Sequence, residues 1–433
     1  MRGTRALSLP AFGCAGSLLS PAHTRRAICE RNLDVLVDSK TIAAALDADQ
    51  LLKDATEISG HGDFGDPLFI DAMRAMVRCY AQDIRATPEG LNIVRNTIVR
   101  QLVNRARFAH DLKLHPEILD EDVSDPIVIM GQPRSGTTKT HRMLGVDPNL
   151  LKTYMWQLTN PAPFPDARPG QPDPRIEAAN YQEELIQASN TDPALRAGHL
   201  YASEEVQSDI FLYLFTFNCN TMSTGKPASM AFYEYTLNRT RPSELDNFLY
   251  VKSLHQYLQW QQGRRRGRRW LIKHEGSHGR LDEVLATYPK ATLVHLHRDP
   301  RASIPSILKH MINSYKPVDP TVSGADITPL IMRRAVDSTR RYMEARERLG
   351  LDGRIFDVKY EQIRSDPMPV FREIYRRAGH TLTPESEALM IEYESQNEQG
   401  KHGAHKYSLE EFGLSEEIIR DGFGDYMARF IDA

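Results

Sequence analysis

Ile127-Val128-Ile129-Met130-Gly131-Gln132-Pro133-Arg134-Ser135-Gly136-Thr137-Thr138 is the stretch on which the fold turns. Its first four residues form a continuous apolar run ending in glycine, which suits a strand buried on both faces of a parallel sheet. A glycine-bearing loop and a helical pattern follow, closing near Gly145 with Asp147-Pro148 beyond. A loop between a buried strand and a helix aims several backbone N–H groups and the positive helix end at one point. That geometry suits a phosphate or a sulfate. Gly136 lets the backbone come close to the anion. Ser135, Thr137 and Thr138 supply hydroxyl donors, and Arg134 supplies a charge. The loop is not of the Walker A type, because G-x-x-x-x-G-K-[ST] requires lysine where Thr137 stands. The residue that would reach the terminal phosphates is absent, which argues against a nucleotide triphosphatase or kinase.

Working outward, residues 270–273, 293–297 and 355–359 read as further strands, separated by helical segments. Strands alternating with helices predict an α/β fold with a central parallel sheet and crossover connections. Upstream, Asp66-Pro67 reads as an N-cap followed by proline at the first helical position. Leu68, Phe69, Met73, Met76, Val77 and Tyr80 then share one helical face. A second helix is predicted over 88–110, with Ile93, Ile98, Leu102 and Phe108 at similar spacing. Residues 160–174 read as a proline-rich loop, and 175–218 as helical. The resulting division is a poorly defined leader over 1–60, an N-terminal helical segment over 61–125 and an α/β domain over 126–433.

Composition narrows the function classes. The 433 residues are 41% hydrophobic and 26% charged, ordinary for a globular chain able to bury a sizeable core. The formal net charge of −3 does not point to nucleic acid or an acidic membrane, so an anionic ligand requires a local cluster of cations. The five arginines from Arg264 to Arg269 read as a solvated loop leading into a strand rather than as a nucleic-acid patch. Cys14, Cys29, Cys79 and Cys219 form no C-x-x-C pair, and no histidine cluster has zinc spacing. Four free thiols in a reducing cytosol, hence a cytoplasmic protein without a metal, are expected. No apolar run reaches the roughly 20 residues a membrane span needs. The segment from Ala6 to Leu19 is broken by Pro10, Gly13 and Gly16 and reads as a leader rather than a signal peptide.

A second motif, His297-Arg298-Asp299-Pro300-Arg301 with Ser306, closes the third of these strands. Asp299 is a plausible N-cap, with Pro300 at the first helical position. Arg298 at the strand end and Ser306 on the next helix would grip one phosphate from two sides, since guanidinium binds phosphate bidentately. Both motifs lie at carboxyl ends of strands, where parallel sheets bind ligands. Together they form a grip for a nucleotide carrying two anionic ends.

The pair of motifs, P-R-S-G-T-T followed by H-R-D-P-R-x-x-x-x-S, resembles the sulfotransferase family dependent on 3′-phosphoadenosine-5′-phosphosulfate (PAPS). Arg134 stands where cytosolic members carry lysine. The resemblance extends to Asp63-Phe64-Gly65-Asp66, Trp270-Leu271-Ile272-Lys273, Tyr288-Pro289-Lys290-Ala291, Tyr360-Glu361 with Asp366-Pro367, and His405-Lys406-Tyr407-Ser408, covering most of the chain from about residue 60. It implies a P-loop-kinase-like sheet flanked by helices, PAPS as co-substrate, adenosine 3′,5′-bisphosphate as product and no metal. Arg134, Ser135, Gly136, Thr137, Thr138, Arg298 and Ser306 would hold the nucleotide, and a basic loop of Lys401, His402 and Lys406 would close over the 3′ phosphate. The acceptor would be a small molecule or glycan bearing a hydroxyl or amine. Lys273 is a candidate cation near the sulfuryl group. The general base is expected among His278, His274 and Glu275, in that order. Relatives carry a histidine four residues after the lysine, where this sequence has Ser277. Glu204-Glu205, with His199 nearby, is another candidate, while His141 reads as structural. The competing readings are a nucleotide-dependent kinase on the same fold and a non-catalytic nucleotide-binding homologue.

Overall fold

Alternation of buried side chains along the first strand builds the centre of the molecule. In the computed structural model, which describes residues 46–168, 170–189, 202–218, 226–240, 243–263, 268–397 and 408–432, β1 spans Ile127–Gly131. Val128 and Met130 enter one hydrophobic core and Ile127 and Ile129 another, so the strand is covered on both faces. It is joined by β2 (Leu150–Leu151), β3 (Arg269–Lys273), β4 (Thr292–His297) and β5 (Ile355–Lys359) in a parallel sheet of order β2-β3-β1-β4-β5. Four of the strands fall where the apolar runs predict them. β2 was not foreseen, because two residues paired with Arg269 and Trp270 at a sheet edge carry no periodicity. β1 leads toward β3 and β2, whereas its neighbour β4 leads to β5. Strand order therefore reverses between β1 and β4, and the crevice outside their carboxyl ends is where such sheets bind ligands.

Helices cover both faces. N-terminal to the sheet lie α1 (Ala48–Ser59), α2 (Phe69–Gln82) and α3 (Pro88–Leu114). After β1 comes α4 (Thr137–Gly145), and between β2 and β3 lie α5 (Met155–Thr159), α6 (Pro174–Ser189), α7 (Met230–Asn238) and α8 (Glu244–Gln261). The remainder are α9 (Leu281–Thr287), α10 (Pro300–Tyr315), α11 (Gly324–Arg348), α12 (Tyr360–Ser365), α13 (Met368–Ala378), α14 (Pro384–Gln396) and α15 (Glu416–Phe430). Val128, Met130, Trp270, Ile272 and Leu293 pack with α8, α10 and α11, while Ile129, Leu271, Val294 and Leu296 pack with α4 and α13. The first three helices form a further core around Leu51, Met73, Met76, Ile98 and Leu102. α1 falls inside the stretch that the sequence leaves undefined. Its Asp47 caps two amides, and Asp54 is held by buried Arg95 at 2.5 Å.

Several local expectations are corrected. Asp66 does accept the Leu68 amide at 2.9 Å, but α2 begins only at Phe69. α3 runs to Leu114, and Ile93 is 43% exposed because it lies off the face shared by Ile98 and Leu102. The stretch 175–218 is not one helical region. α6 ends at Ser189, Val206 bridges Tyr154, and Asp209–Thr216 is a 3₁₀ segment. Its run Leu212-Tyr213-Leu214-Phe215 is buried all round, and an apolar run without polar gaps does not reveal its period.

Gly131 makes the tight exit from β1. Its φ is 146°, and a Cβ there would sit 2.5 Å from the Leu296 carbonyl oxygen on β4. Gly131→Ala is therefore expected to lower unfolding stability by more than about 1 kcal/mol, checked by the thermal midpoint in circular dichroism.

Candidate active site

The first loop turns sharply before α4. Arg134 has φ 68° and Gly136, the N-cap of α4, has φ 93°. A non-glycine residue held at positive φ costs about 1–2 kcal/mol and clusters at functional sites. Ser135 is fully buried, and its Oγ has no hydrogen-bond partner among the described residues. The first-turn amides of α4 lack intrahelical acceptors by construction. A Cβ on Gly136 would approach the Tyr360 ring to 3.1 Å, so only glycine keeps this cradle open. Thr137 is buried at the head of α4 and Thr138 is exposed beside it. Orphaned hydroxyl, free amides and glycine cradle together suit an anionic group.

The second motif meets the first. Arg298 leaves the end of β4 and donates from Nη1 to the Arg134 carbonyl at 2.6 Å. Its guanidinium lies over the Tyr360 ring, 4.2 Å from the centroid. Arg134 Nε donates to Ser306 Oγ on α10 at 3.1 Å. Asp299 caps α10 as expected, accepting the Arg301 amide at 2.8 Å. Arg134, Arg298 and Ser306 thus form one contact network across the tips of β1 and β4.

The end of β3 supplies a third group. Lys273 pairs in register with Ile129 of β1, and the His274 amide donates to the Ile129 carbonyl at 3.1 Å. The Lys273 side chain is 4% exposed and its ammonium forms an ion pair with Glu275 Oε1. Ser208 Oγ lies 2.7 Å from Glu275 Oε2 and 3.0 Å from the Lys273 carbonyl. Asp209 Oδ2 accepts the Lys273 amide at 2.8 Å, and its Oδ1 holds His255 Nε2 at 2.9 Å and the Thr153 hydroxyl at 3.1 Å. Burial would raise the Glu275 carboxyl, but the Lys273 ammonium and the Ser208 hydroxyl overcome it and hold the group well below the usual carboxylate range.

The three histidines here are all buried and neutral. Burial brings His278 down to about 4, and both its ring nitrogens are engaged, Nδ1 with the Glu275 carbonyl at 2.8 Å and Nε2 with Ser338 Oγ at 3.0 Å. Burial likewise brings His274 to about 4. Its Nδ1 meets Ser277 Oγ at 2.7 Å and its ring stacks on Tyr213, with centroids 4.1 Å apart. His141, one turn into α4, is at about 4 for the same reason. The Nε2 atoms of His274 and His141 are buried without a partner among the described residues. Glu275, with 15% of its side chain exposed, is the more accessible proton acceptor of this group.

Other expected residues stand apart. Glu205 pairs with Arg142 at 2.7 Å, where burial pushes its carboxyl up, and Glu204 is exposed. His199, Lys401, His402 and Lys406 lie outside the described residues, as do Cys14, Cys29, Cys219 and the arginines up to Gly267. Arg269 pairs with Asp125 at 2.9 Å, and Cys79 is a free thiol. Ser208 and Asp209 were missed, because a Ser-Asp pair before an apolar run reads only as a helix cap. His295, His297 and Asp357 have ligand atoms close enough to share a metal. Both Asp357 oxygens already hold Arg346 at 2.7 Å, so a guanidinium occupies the cationic position there. Among the described residues no helix is long and apolar enough to cross a membrane.

This geometry can be set beside known proteins. The sequence model of the sulfotransferase family matches residues 126–384. The omega-hydroxy-beta-dihydromenaquinone-9 sulfotransferases Stf3 of Mycobacterium bovis and Mycobacterium tuberculosis are each 26% identical over 269 residues, 59% of this chain and 62% of theirs. The match thus spans about three fifths of the length of these curated relatives, 62%. The crystal structure of sulfotransferase STF9 from Mycobacterium avium superposes with a TM-score of 0.77 at 25% identity, over 88% of this chain and 96% of that one. Sulfotransferase STF1 from Mycobacterium tuberculosis H37Rv gives a TM-score of 0.70 over 91% of this chain and 100% of its own, and at 22% identity it speaks to fold alone.

Proposed function

The chain belongs to the sulfotransferase family, and from that premise we propose that it moves a sulfuryl group from PAPS to the hydroxyl of a small-molecule acceptor. The observation that carries this reading is the contact between the two motifs at the tips of β1 and β4, where Arg134 meets Ser306 and Arg298 meets the Arg134 carbonyl. Two guanidiniums there suit a nucleotide with anions at both its 5′ and 3′ ends. Ser135, the α4 amides, Thr137 and Thr138 would take the 5′ phosphosulfate, and Arg298 with Ser306 the 3′ phosphate. A kinase reading lacks the lysine at position 137.

Glu275 accepts the acceptor's hydroxyl proton in this reading. The acceptor oxygen forms its bond to sulfur as the bond from sulfur to the 5′-phosphate oxygen breaks. The electron pair of that bond leaves with adenosine 3′,5′-bisphosphate. Arg134 and the loop amides stabilise the charge that develops on the departing phosphate. Lys273 supplies a cation to the sulfuryl oxygens. The base assignment moves from His278 to Glu275 because both His278 nitrogens are committed, whereas the Glu275 carboxylate retains free lone pairs and partial exposure. The relatives named for a hydroxylated menaquinone support an apolar alcohol as acceptor.

Incubation with sulfur-labelled PAPS and a panel of phenols, apolar alcohols and amines is expected to label a hydroxyl compound. Turnover of ATP–magnesium, together with no uptake of adenosine 3′,5′-bisphosphate in calorimetry, would overturn the reading.

A further inference from the structure

The ion pair at the end of β3 is built so that only its side chains can move. Asp209 Oδ2 fixes the Lys273 amide at 2.8 Å, and the single Ser208 hydroxyl proton is shared between Glu275 Oε2 at 2.7 Å and the Lys273 carbonyl at 3.0 Å. His274, the next residue, is tied through its amide to Ile129 of β1 at 3.1 Å. Beyond this clamped backbone, Lys273 carries its charge on a flexible four-carbon stem. Its ion-pair partner among the described residues is Glu275. Lys273 also pairs in register with Ile129, two residues before the Gly131 loop, so the end of β3 lies beside the strand that leads into the anion cradle.

We propose that Lys273 is a lock on the proton acceptor: it holds Glu275 as an unreactive carboxylate until the sulfuryl donor binds, then turns to the donor and leaves Glu275 free to take a proton. This rests on the sulfuryl-transfer reading above. A buried carboxylate is stabilised by the cation it touches and disfavoured by desolvation. Withdrawing the ammonium leaves Glu275 with the neutral Ser208 hydroxyl at 2.7 Å and with burial, which raises its affinity for a proton. The other titratable groups around it do not replace the lost charge. His274 on its own stretch and His141 on α4 are kept neutral by burial, and Asp209 on the 3₁₀ segment is an anion engaged by His255. The dianionic 5′ phosphosulfate end of the donor presents the stronger partner for the ammonium. The base therefore becomes basic only when there is a sulfuryl group to transfer, which makes the donor the first ligand that productive turnover requires.

Calorimetric titration of the full chain with PAPS, in two mildly acidic buffers of different ionisation enthalpy, counts the protons taken up on binding. Wild type is expected to take up more than Glu275→Gln, by a fraction approaching about one proton. Lys273→Met, in which the carboxyl is released beforehand, is expected to lose most of that excess. Equal uptake by wild type and Glu275→Gln would overturn the lock. Failure of PAPS to bind would overturn the lock and the sulfuryl-transfer reading together. Full turnover by Glu275→Gln would overturn the lock as well, since Glu275 would then not be the proton acceptor, while leaving the sulfuryl-transfer reading intact. A Glu275→Gln/Lys273→Met double variant guards against misfolding, since it removes both charges of the pair. It is expected to show no excess uptake.

Discussion

Glu275→Gln lowers turnover by about 10²–10⁴-fold while leaving affinity for adenosine 3′,5′-bisphosphate within a few-fold of wild type. Glutamine keeps the shape of the side chain and its hydrogen bond with Ser208, but it cannot take a proton. The proposed nucleotide contacts lie on Arg134, Ser306 and Arg298, outside the β3 group, so binding of the bisphosphate, which lacks the sulfuryl group, should be spared. Lys273 complicates the interpretation, because the substitution strands a 4%-exposed ammonium without its anion. Breaking a buried pair on one side is more destabilising than removing both partners. Turnover should therefore be normalised to folded protein and compared with Glu275→Gln/Lys273→Met. His278→Ala is the informative contrast. Both its nitrogens are hydrogen-bonded, one to Ser338 on α11. Its loss should lower the melting temperature and spare most of the turnover per folded molecule. A Glu275→Gln variant at full rate, with His278→Ala folded and inactive, would return the base to His278.

Why the two motifs that meet at the tips of β1 and β4 were legible and the partners of Glu275 were not follows from where each is encoded. Arg134, Gly136, Arg298, Asp299 and Ser306 lie in two short stretches whose local grammar is strand, tight turn and capped helix, and such grammar survives without knowledge of distant contacts. Four strands announced themselves because residues buried on both faces leave continuous apolar runs. The proposed proton acceptor depends instead on tertiary partners. His278, His274 and Glu275 stand within five residues of one another on Glu275–Gly279 and its cap, and spacing cannot say which of them faces Ser338, Tyr213 or Lys273. Ser208 and Asp209 reach the site from more than sixty positions away, through a 3₁₀ segment whose apolar run looks like any buried helix. Tyr360 likewise joins the two motifs only because β5 lies beside β4, which puts its ring under Arg298 and against Gly136.

Arg298→Ala is expected to weaken adenosine 3′,5′-bisphosphate binding by about 10–150-fold, the equivalent of one charge-assisted hydrogen bond of about 1.5–3 kcal/mol. The guanidinium is already positioned: its carbon sits 4.2 Å from the Tyr360 ring centroid, and Nη1 donates to the Arg134 carbonyl at 2.6 Å. A side chain held in place by stacking loses little further freedom when a phosphate arrives, so most of the contact energy appears as affinity. Arg298→Lys should therefore rescue only part of the loss. An ammonium is a point charge that neither stacks on Tyr360 in the same way nor offers a fork to two phosphate oxygens. The alanine variant also removes the donor that fixes the Arg134 carbonyl, and Arg134 holds a left-handed φ of 68° that its surroundings must enforce. The 5′ side of the site should loosen with the 3′ side, and adenosine 5′-phosphate, which lacks the 3′ group, should also bind less tightly to Arg298→Ala. If 5′-phosphate affinity is unchanged while bisphosphate affinity falls, Arg298 acts on the 3′ phosphate alone. If neither changes, the contact between β1 and β4 does not hold a nucleotide.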